Sequence, residues 1–282
     1  MSDGKGGEEE DVEERFDQID QFYKGDDDWY RVDDDYLDEL IDENRFEVVP
    51  AVDMKDGECV QLVQGEEGTG KTYGDPVEAA EKWIREGAET IHLVDLNGAI
   101  DGDRRNAETI REITEATDVE IQVGGGIRSV DAARKLFDSG VDRVIVGTKA
   151  VEEPEFVEEV SRHGEVMVSL DAREGEVLVE GWKEGSGISP IELATKFEDL
   201  GARSILFTNV DDEGLLDGVD PEPVRKISEK VSVPVVASGG VSKPTDVEKL
   251  YHGGASAVVV GTALYEGEVS LPELQEAVGG SG

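Results

Sequence analysis

Gly124-Gly125-Gly126-Ile127 recurs 114 residues further along the chain as Ser238-Gly239-Gly240-Val241. The same offset relates Val146-Gly147-Thr148 to Val260-Gly261-Thr262, so the two motifs keep the same spacing in each copy. A repeat of this length exceeds the roughly 20 to 50 residues that are typical of solenoid units. The repeat therefore indicates a domain that was built from two duplicated and fused halves.

Short apolar runs alternate with amphipathic helical stretches from Phe46 onward, and the runs are rich in Val and Ile, as is typical of parallel strands buried on both faces. The predicted strands are 47–53, 90–95, 119–124, 142–147, 165–171, 204–209, 233–237 and 256–261. The predicted helices are 76–87, 106–116, 130–139, 153–162, 188–200, 221–230, 243–252 and 271–277. Eight such units predict an α/β fold, a (β/α)₈ TIM barrel of two four-unit halves. A doubly wound open sheet is the alternative, but it would not predict two equivalent halves.

Acidic residues dominate the whole chain, which carries a formal net charge of −41. Residues 1–45 contribute −14 and residues 46–282 contribute −27. We interpret 1–45 as an acidic N-terminal extension with two weak helices, or alternatively as a docking segment for an unknown partner, and 46–282 as the barrel domain. Such a charge disfavours nucleic acid and anionic membranes as partners. Self-repulsion is screened strongly in molar salt, so we predict a halophilic protein.

A single cysteine, Cys59, excludes an internal disulfide and favours a reducing compartment. No stretch approaches the roughly 18 apolar residues that a transmembrane helix requires, and the acidic start is unlike a signal peptide. We therefore expect a cytoplasmic protein.

Two aspartates end equivalent strands of the predicted barrel, Asp53 on the first strand and Asp171 on the fifth. Chemistry in this fold is located at the carboxyl ends of the strands. Two carboxylates that face one cavity suit proton transfer, because one can act as the acid and the other as the base. The alternative is that each aspartate only introduces the turn that ends in Gly57 or Gly175.

Glycine-rich turns follow the third and fourth predicted strands and recur after the seventh and eighth. Glycine lets the backbone approach a ligand closely, and the amides at the start of a helix bind phosphate. Each pair of turns therefore forms a candidate phosphate-binding site, which we call a cradle. Two cradles on opposite sides of a barrel predict a substrate with a phosphate at each end. Tight turns without a ligand are the alternative.

The motifs together resemble the HisA family, the phosphoribosylformimino-aminoimidazole carboxamide ribotide isomerases of histidine biosynthesis, over residues 46–277. The resemblance rests on Pro50-Ala51-Val52-Asp53, Gln61-Leu62-Val63-Gln64-Gly65, His92-Leu93-Val94-Asp95-Leu96, Gln122-Val123-Gly124-Gly125-Gly126-Ile127-Arg128, Leu170-Asp171-Ala172-Arg173, Gly181-Trp182 and Ala237-Ser238-Gly239-Gly240-Val241. It implies an Amadori rearrangement, from an aminoaldose to an aminoketose, on a bisphosphorylated small molecule. It also implies that neither a metal nor a cofactor takes part, and we expect a monomer.

The resemblance also implies roles for individual residues. Asp171 resembles the general acid that opens the ribose ring to a Schiff base, and Asp53 resembles the base that removes the C2 proton. Thr208 resembles a residue that helps to position the substrate. The implied substrate-binding residues are Gln64, Gly65, His92, Asp95, Gly125, Gly126, Arg128, Gly147, Thr148, Trp182, Ser238, Gly239, Gly240, Gly261 and Thr262. A buried core tryptophan and a neutral core histidine are the alternatives for Trp182 and His92.

The stretch from Gln64 to Gly74 contains four glycines and is long for a barrel loop, so we predict a mobile lid there rather than a passive surface loop. The chain departs from the family pattern after the sixth strand, where an Asp and an Arg-Asp-Gly turn are common. Here Asn209 and Asp212-Glu213-Gly214 occupy those positions, which leaves the contribution of that loop open.

Three other functions are compatible with such a barrel. The sister cyclase of the pathway carries a Lys after the first strand, where this chain has Val60-Gln61-Leu62-Val63. A bifunctional isomerase that also acts on phosphoribosylanthranilate adds an Arg just before the Gly-Trp pair, where this chain has Glu180. A catalytically inactive barrel that binds the metabolite or a partner is disfavoured by the intact pair of aspartates.

Overall fold

The computed structural model describes residues 46–62, 68–100, 102, 104–179, 182, 184–210 and 218–279. The predicted extension, residues 1–45, lies outside the described residues, and the domain boundary at Phe46 stays a prediction. Gln64 and Gly65 also lie outside them, as do Gly181 and the turn at 212–214.

Eight parallel strands close into a barrel, which confirms the predicted (β/α)₈ fold. They are β1 (Glu47–Lys55), β4 (Thr90–Asp95), β5 (Glu120–Gly124), β6 (Arg143–Val146), β7 (Glu165–Arg173), β10 (Ser204–Asn209), β11 (Val235–Ser238) and β12 (Ala257–Val260). Each strand pairs with the next in this order, and β12 pairs in parallel with β1 to close the ring. The carboxyl ends of all eight strands therefore meet at one mouth.

Helices follow the strands and pack on the outside of the barrel. They are α1 (Pro76–Arg85), α2 (Leu96–Ile100), α3 (Ala107–Ala116), α4 (Val130–Asp138), α5 (Thr148–Glu152), α6 (Glu155–Ser161), α7 (Pro190–Asp199), α8 (Glu222–Ser228), α9 (Pro244–His252), α10 (Thr262–Glu266) and α11 (Leu271–Gly279). Polar caps start several of them, since the side chains of Asp75, Ser129 and Ser189 each accept from amides of the first helical turn. Their apolar faces, with Trp83 and Phe197 as the largest side chains, pack against the outer face of the sheet.

Two β-hairpins at the mouth were not predicted. β2 (Glu58–Gln61) turns back on β1 and pairs with β3 (Lys71–Gly74), while β8 (Glu176–Val179) turns back on β7 and pairs with β9 (Glu184–Gly185). Residues 71–74 of the predicted lid form a strand rather than a loop, and the mobility of the lid stays a prediction. These strands are too short to show a period of their own, and the neighbouring strand ends supply their hydrogen-bonding partners.

Part of the barrel interior is filled by apolar side chains. The side chains of an inner cluster meet there: Val49, Ala51, Ile145, Met167, Leu206, Val236, Ala257 and Val259. Since side chains alternate between the two faces of a strand, the residues two positions further along each strand also point inward. This alternation decides which side chains reach the mouth.

The sequence repeat is also a repeat of backbone conformation. The turn after β1 has left-handed φ values of 53° at Asp56 and 82° at Gly57, and the turn after β7 has 51° at Glu174 and 83° at Gly175. The duplicated halves therefore fold alike at the positions where the conformational demand is strongest.

Candidate active site

The two predicted acids both lie at the mouth, with their side chains toward the barrel interior. Asp53 follows the inner-cluster residue Ala51 by two positions on β1, and Asp171 follows Met167 by four on β7. Both carboxylates are half-buried. β1 and β7 are four strands apart in the ring of eight, so the two acids face one another across it.

The alternative role of these aspartates as turn formers does not fit their position. Asp53 is hydrogen-bonded within the sheet, opposite Val94 of β4 and Val60 of β2. The tight turns are formed three residues later in each half, at Asp56-Gly57 and Glu174-Gly175. Each acid therefore stands on a paired strand, which holds its backbone in place.

Polar side chains of the second half surround Asp171. The hydroxyl of Ser169 donates to Asp171 Oδ1 over 2.9 Å. Thr208 of β10 is buried and lies between its two strand partners, Asp171 of β7 and Ser238 of β11. Thr208 and Ser238 follow the inner-cluster residues Leu206 and Val236 by two positions, so their side chains also point to the interior. The residues predicted at this side of the mouth are thus brought together with the acid.

The first glycine-rich cradle is formed by Gly125, Gly126, Gly147 and Thr148. Its glycine turn packs tightly against the end of β4 and the start of α2. Gly125 and Gly126 have φ values of 101° and 68°. A Cβ atom on Gly126 would lie 1.9 Å from the carbonyl oxygen of Gly98, and one on Gly125 would lie 2.2 Å from that of Asp95. Packing alone therefore demands glycine at both positions, whether or not a phosphate binds. Arg128 is exposed and donates to the carbonyl oxygen of Ala99 over 3.0 Å.

The second cradle repeats the first in backbone conformation. Gly239 and Gly240 have φ values of 93° and 76°. Gly261 precedes α10 with φ −114° and ψ −94°, and Gly147 precedes α5 with φ −117° and ψ −108°. Thr148 and Thr262 therefore begin equivalent short helices at the mouth, each with its amides toward the strand ends.

Asp95 is completely buried at the end of β4. Its Oδ1 accepts from the amide of Gly98 over 3.1 Å and from Asn106 Nδ2 over 2.7 Å. Asn97 and Asn106 extend this network to the turn after β1, since Asn97 Oδ1 accepts from the amide of Asp56. Substrate contact by Asp95 stays a prediction, while the structure gives its carboxylate a role in bracing the loops.

His92 lies one inward position below the level of Asp53, on β4 beside Ala51. It is buried, and Gln122 Nε2 donates to its Nδ1 over 3.0 Å, so the neutral ring carries its proton on Nε2. Burial lowers the pKa of His92 to about 4. The alternative of a neutral core histidine fits these contacts, and a role in substrate binding remains a prediction.

Trp182 lies between β8 and β9, in the hairpin that follows the strand of Asp171. It is half-buried, which argues against the alternative of a core tryptophan. Its φ of 71° is unusual for a residue with a large side chain. Strained positions of this kind cluster at ligand sites.

One side chain at the mouth was missed from the predicted site. Gln61, at the end of β2, is buried and lies against Gly261 and Thr262 of the second cradle. It belongs to one of the motifs that carry the family resemblance. The signal in the sequence was weak because only the hairpin, which was not predicted, brings Gln61 to α10.

Other features of the described residues do not suggest a second active site. No cluster of three or more His, Cys, Asp or Glu side chains within the described ranges could hold a metal ion. None of the helices in this part of the chain has the length and hydropathy that crossing a bilayer requires. A groove of about 480 Å³ runs between α8 and α9 on the outside of the barrel, lined by residues such as Glu222, Arg225 and Lys249.

Comparison with known proteins shows which family the chain matches. The family model described as histidine biosynthesis protein matches residues 47–270. A relative from Haloarcula marismortui is 57% identical over 240 residues, which cover 84% of this chain and 98% of the relative. A relative from Natronomonas pharaonis is 56% identical, covering 83% of this chain and 98% of the relative, and one from Methanosarcina barkeri is 52% identical, covering 80% and 95%. All three carry the name 1-(5-phosphoribosyl)-5-((5-phosphoribosylamino)methylideneamino)imidazole-4-carboxamide isomerase.

Proposed function

The chain belongs to the histidine biosynthesis protein family, and from that membership we propose that it is the aldose–ketose isomerase named for its relatives. The observation that carries the proposal is the pair of inward-facing carboxylates, Asp53 and Asp171, at equivalent strand ends of a duplicated barrel. The shared name of the relatives favours this reaction over the three alternatives, which are the sister cyclase, a second activity on phosphoribosylanthranilate and a non-catalytic barrel.

Asp171 is the general acid. It protonates the ring oxygen of the ribose, the bond between that oxygen and C1 breaks, and C1 forms a Schiff base with the substrate nitrogen. Asp53 is the general base and removes the proton from C2, which gives the enolamine. Return of a proton to C1 and loss of the proton from the C2 hydroxyl yield the aminoketose. Substrate and product are isomers, so the reaction balances within the substrate.

The surrounding residues bind and orient the substrate. One phosphate occupies the cradle of Gly125, Gly126, Gly147 and Thr148 with Arg128 at its edge, and the other occupies the cradle that begins at Ser238. Amides at the starts of α5 and α10 suit anions, because their hydrogen atoms have no partner within the helix. Thr208 positions the sugar beside Asp171, and Trp182 stacks near the imidazole.

Further parts of the proposal concern the setting of the enzyme. A bisphosphorylated small molecule is the partner that two cradles require. The net charge of −41 supports operation in concentrated salt, without nucleic acid partners, and the single cysteine supports a cytoplasmic location. A monomeric state remains a prediction.

The test is an isomerase assay with the purified protein in molar KCl. We expect Asp53→Asn and Asp171→Asn each to lower kcat by about 10³-fold, because each removes one proton-transfer group. Asp56→Asn and Glu174→Gln are matched controls at the neighbouring turns and should stay within about threefold of wild type, since both side chains are exposed.

Two results would count against the proposal. If wild-type protein that is folded in molar KCl does not convert this substrate, the function is wrong. If wild type converts it and both aspartate variants are equally active, the assigned roles of Asp53 and Asp171 are wrong.

A further inference from the structure

The two cradles differ in charge although their backbones match. The first has Arg128 after its glycine turn and Lys149 in α5, while the equivalent positions of the second are Ser242 and Ala263. The second cradle does have a lysine one position later, Lys243, which is exposed. The side chains that recognise a phosphate at the second cradle are therefore not copies of those at the first.

Gln61 occupies the space beside the second cradle. It is 7% exposed and ends β2, where it pairs with Lys71 of β3. A Cβ atom on Gly261 would lie 2.4 Å from Gln61 Oε1 and 3.3 Å from its Nε2, so the side-chain amide lies directly over that glycine. The Thr262 hydroxyl donates to Gln61 Oε1 over 3.4 Å.

The amide nitrogen of Gln61 is a donor without an acceptor. Nε2 is buried and has no hydrogen-bond partner among the residues that the structure describes. Buried donors in native proteins are nearly always paired, so an orphaned one indicates a missing acceptor. Its location beside the start of α10 points to an anion as that acceptor, because the free amides of a helix start attract negative charge.

The hairpin that carries Gln61 is fastened to α10. Lys71 Nζ contacts Glu266 Oε1 over 2.7 Å, and the hydroxyl of Tyr73 donates to the same carboxylate oxygen. On the other side, Cys59 Sγ donates to the Tyr265 hydroxyl over 3.2 Å, and that hydroxyl donates to the carbonyl oxygen of Ala51 over 3.0 Å. These contacts fix Gln61 relative to the cradle before any ligand arrives.

We propose that Gln61 is a substrate-binding residue of the second cradle, whose Nε2 donates to an oxygen of the phosphate held at Gly261 and Thr262. The inference deepens the proposed function and rests on it. A neutral amide there supplies a hydrogen bond in place of the cations found at the first cradle, and it would be less sensitive to salt than Arg128 because it carries no charge to be screened.

The test compares Gln61→Met, which keeps the volume and removes the donor, with Gln61→Glu, which keeps the shape and adds a charge that repels phosphate. In molar KCl we expect Gln61→Met to raise KM for the bisphosphorylated substrate about tenfold, with kcat changed less than about threefold. We expect Gln61→Glu to raise KM about 100-fold. Gln275→Met is the control, since Gln275 is a glutamine of α11 whose amide donates to the carbonyl oxygen of Gly87, far from the mouth.

A second measurement does not depend on catalysis. Inorganic phosphate should raise the melting temperature of wild type and of Gln275→Met, and this rise should be smaller for Gln61→Met. If Gln61→Met lowers the melting temperature without ligand but leaves both KM and the phosphate-dependent rise unchanged, Gln61 is a packing residue and the inference is wrong. An inactive wild type would refute the proposed function, while the phosphate titration would still decide the role of Gln61.

Discussion

The two halves of the barrel share a backbone but not an interior. Gly125 and Gly126 have φ values of 101° and 68°, and their counterparts Gly239 and Gly240 have 93° and 76°. The inner cluster, by contrast, takes five of its eight side chains from the second half, so the apolar filling of the barrel comes mainly from there. Duplication fixed where the chain turns, and later divergence changed what the strands carry.

A chain of polar side chains lies in the interior of the first half. His92, Gln122 and Arg143 form a chain across β4, β5 and β6, in which Arg143 Nη1 donates to Gln122 Oε1 over 3.2 Å. Arg143 then reaches Glu165 at the amino end of β7, over 3.2 Å. The equivalent positions of the second half are Leu206, Val236 and Ala257, all members of the inner cluster. One half thus supplies a polar network and the other packs against it.

The largest effect should come from breaking the close contact in the first half. We expect Gly126→Ala to lower the free energy of unfolding by about 4 kcal/mol or more, because its Cβ would lie 1.9 Å from the carbonyl oxygen of Gly98. Gly57→Ala is the matched control, since Gly57 has φ 82° and open space around its Cβ position, and it should cost about 1 kcal/mol. Urea unfolding in molar KCl measures both, and equal costs would mean that the contact does not constrain the loop.

The pH dependence of stability should distinguish the interiors of the two half-barrels. Because burial lowers the pKa of His92 to about 4, the unfolded chain takes up a proton near the ordinary pKa of 6.5 while the folded protein does not. Stability should therefore be lost as the pH falls from about 6.5 to about 4, by about 3 kcal/mol in total.

His92→Leu copies the residue of the second half and should remove that part of the pH dependence. The measurement is the difference between wild type and variant in unfolding free energy at several pH values, so that groups titrating in both proteins cancel. A difference that stays constant from pH 7 to pH 4 would contradict the assignment.

The smallest predicted effect is a difference in stability between alanine variants of the two glycines that precede the short helices α5 and α10. Gly147 and Gly261 share their backbone conformation, so any backbone cost of alanine is common to both. The nearest atom to a Cβ on Gly147 is 3.8 Å away, on Ser169, whereas a Cβ on Gly261 would overlap the amide of Gln61. We expect Gly261→Ala to cost about 1 to 2 kcal/mol more than Gly147→Ala in urea unfolding. Gln61→Ala in the Gly261→Ala background should recover most of the difference, and no recovery would place the strain elsewhere.

Much of the fold was predictable because its signals are local or repeated. Buried parallel strands show as runs of Val and Ile, and the 114-residue repeat identified the two halves before any contact was known. The positions of Asp53 and Asp171 near the carboxyl ends of β1 and β7 followed from the same periodicity, although both strands run two residues further than predicted. The roles of these acids stay proposals, because the presence of an aspartate at a position does not show that it transfers a proton.

Three features could not be predicted from the sequence: the two hairpins, the packing of Gly126 on Gly98 and the placement of Gln61. The strand residues Cys59 to Gln61 show no periodicity of their own, and they form a strand because β1 and β3 offer hydrogen-bonding partners on both sides. Gln61 and Thr262 are 201 residues apart in the chain, and only closure of the barrel between β12 and β1 brings them together.

The sequence by itself determined the architecture of this protein, because the alternation of strands and helices and its duplication are written as periodic patterns of apolar residues. Only the tertiary structure decided which polar side chains meet at the mouth, and which of them are left with an unused hydrogen-bonding atom. The reason is physical: burial patterns are set by nearest neighbours along the chain, whereas a binding site is set by distances between segments that fold together.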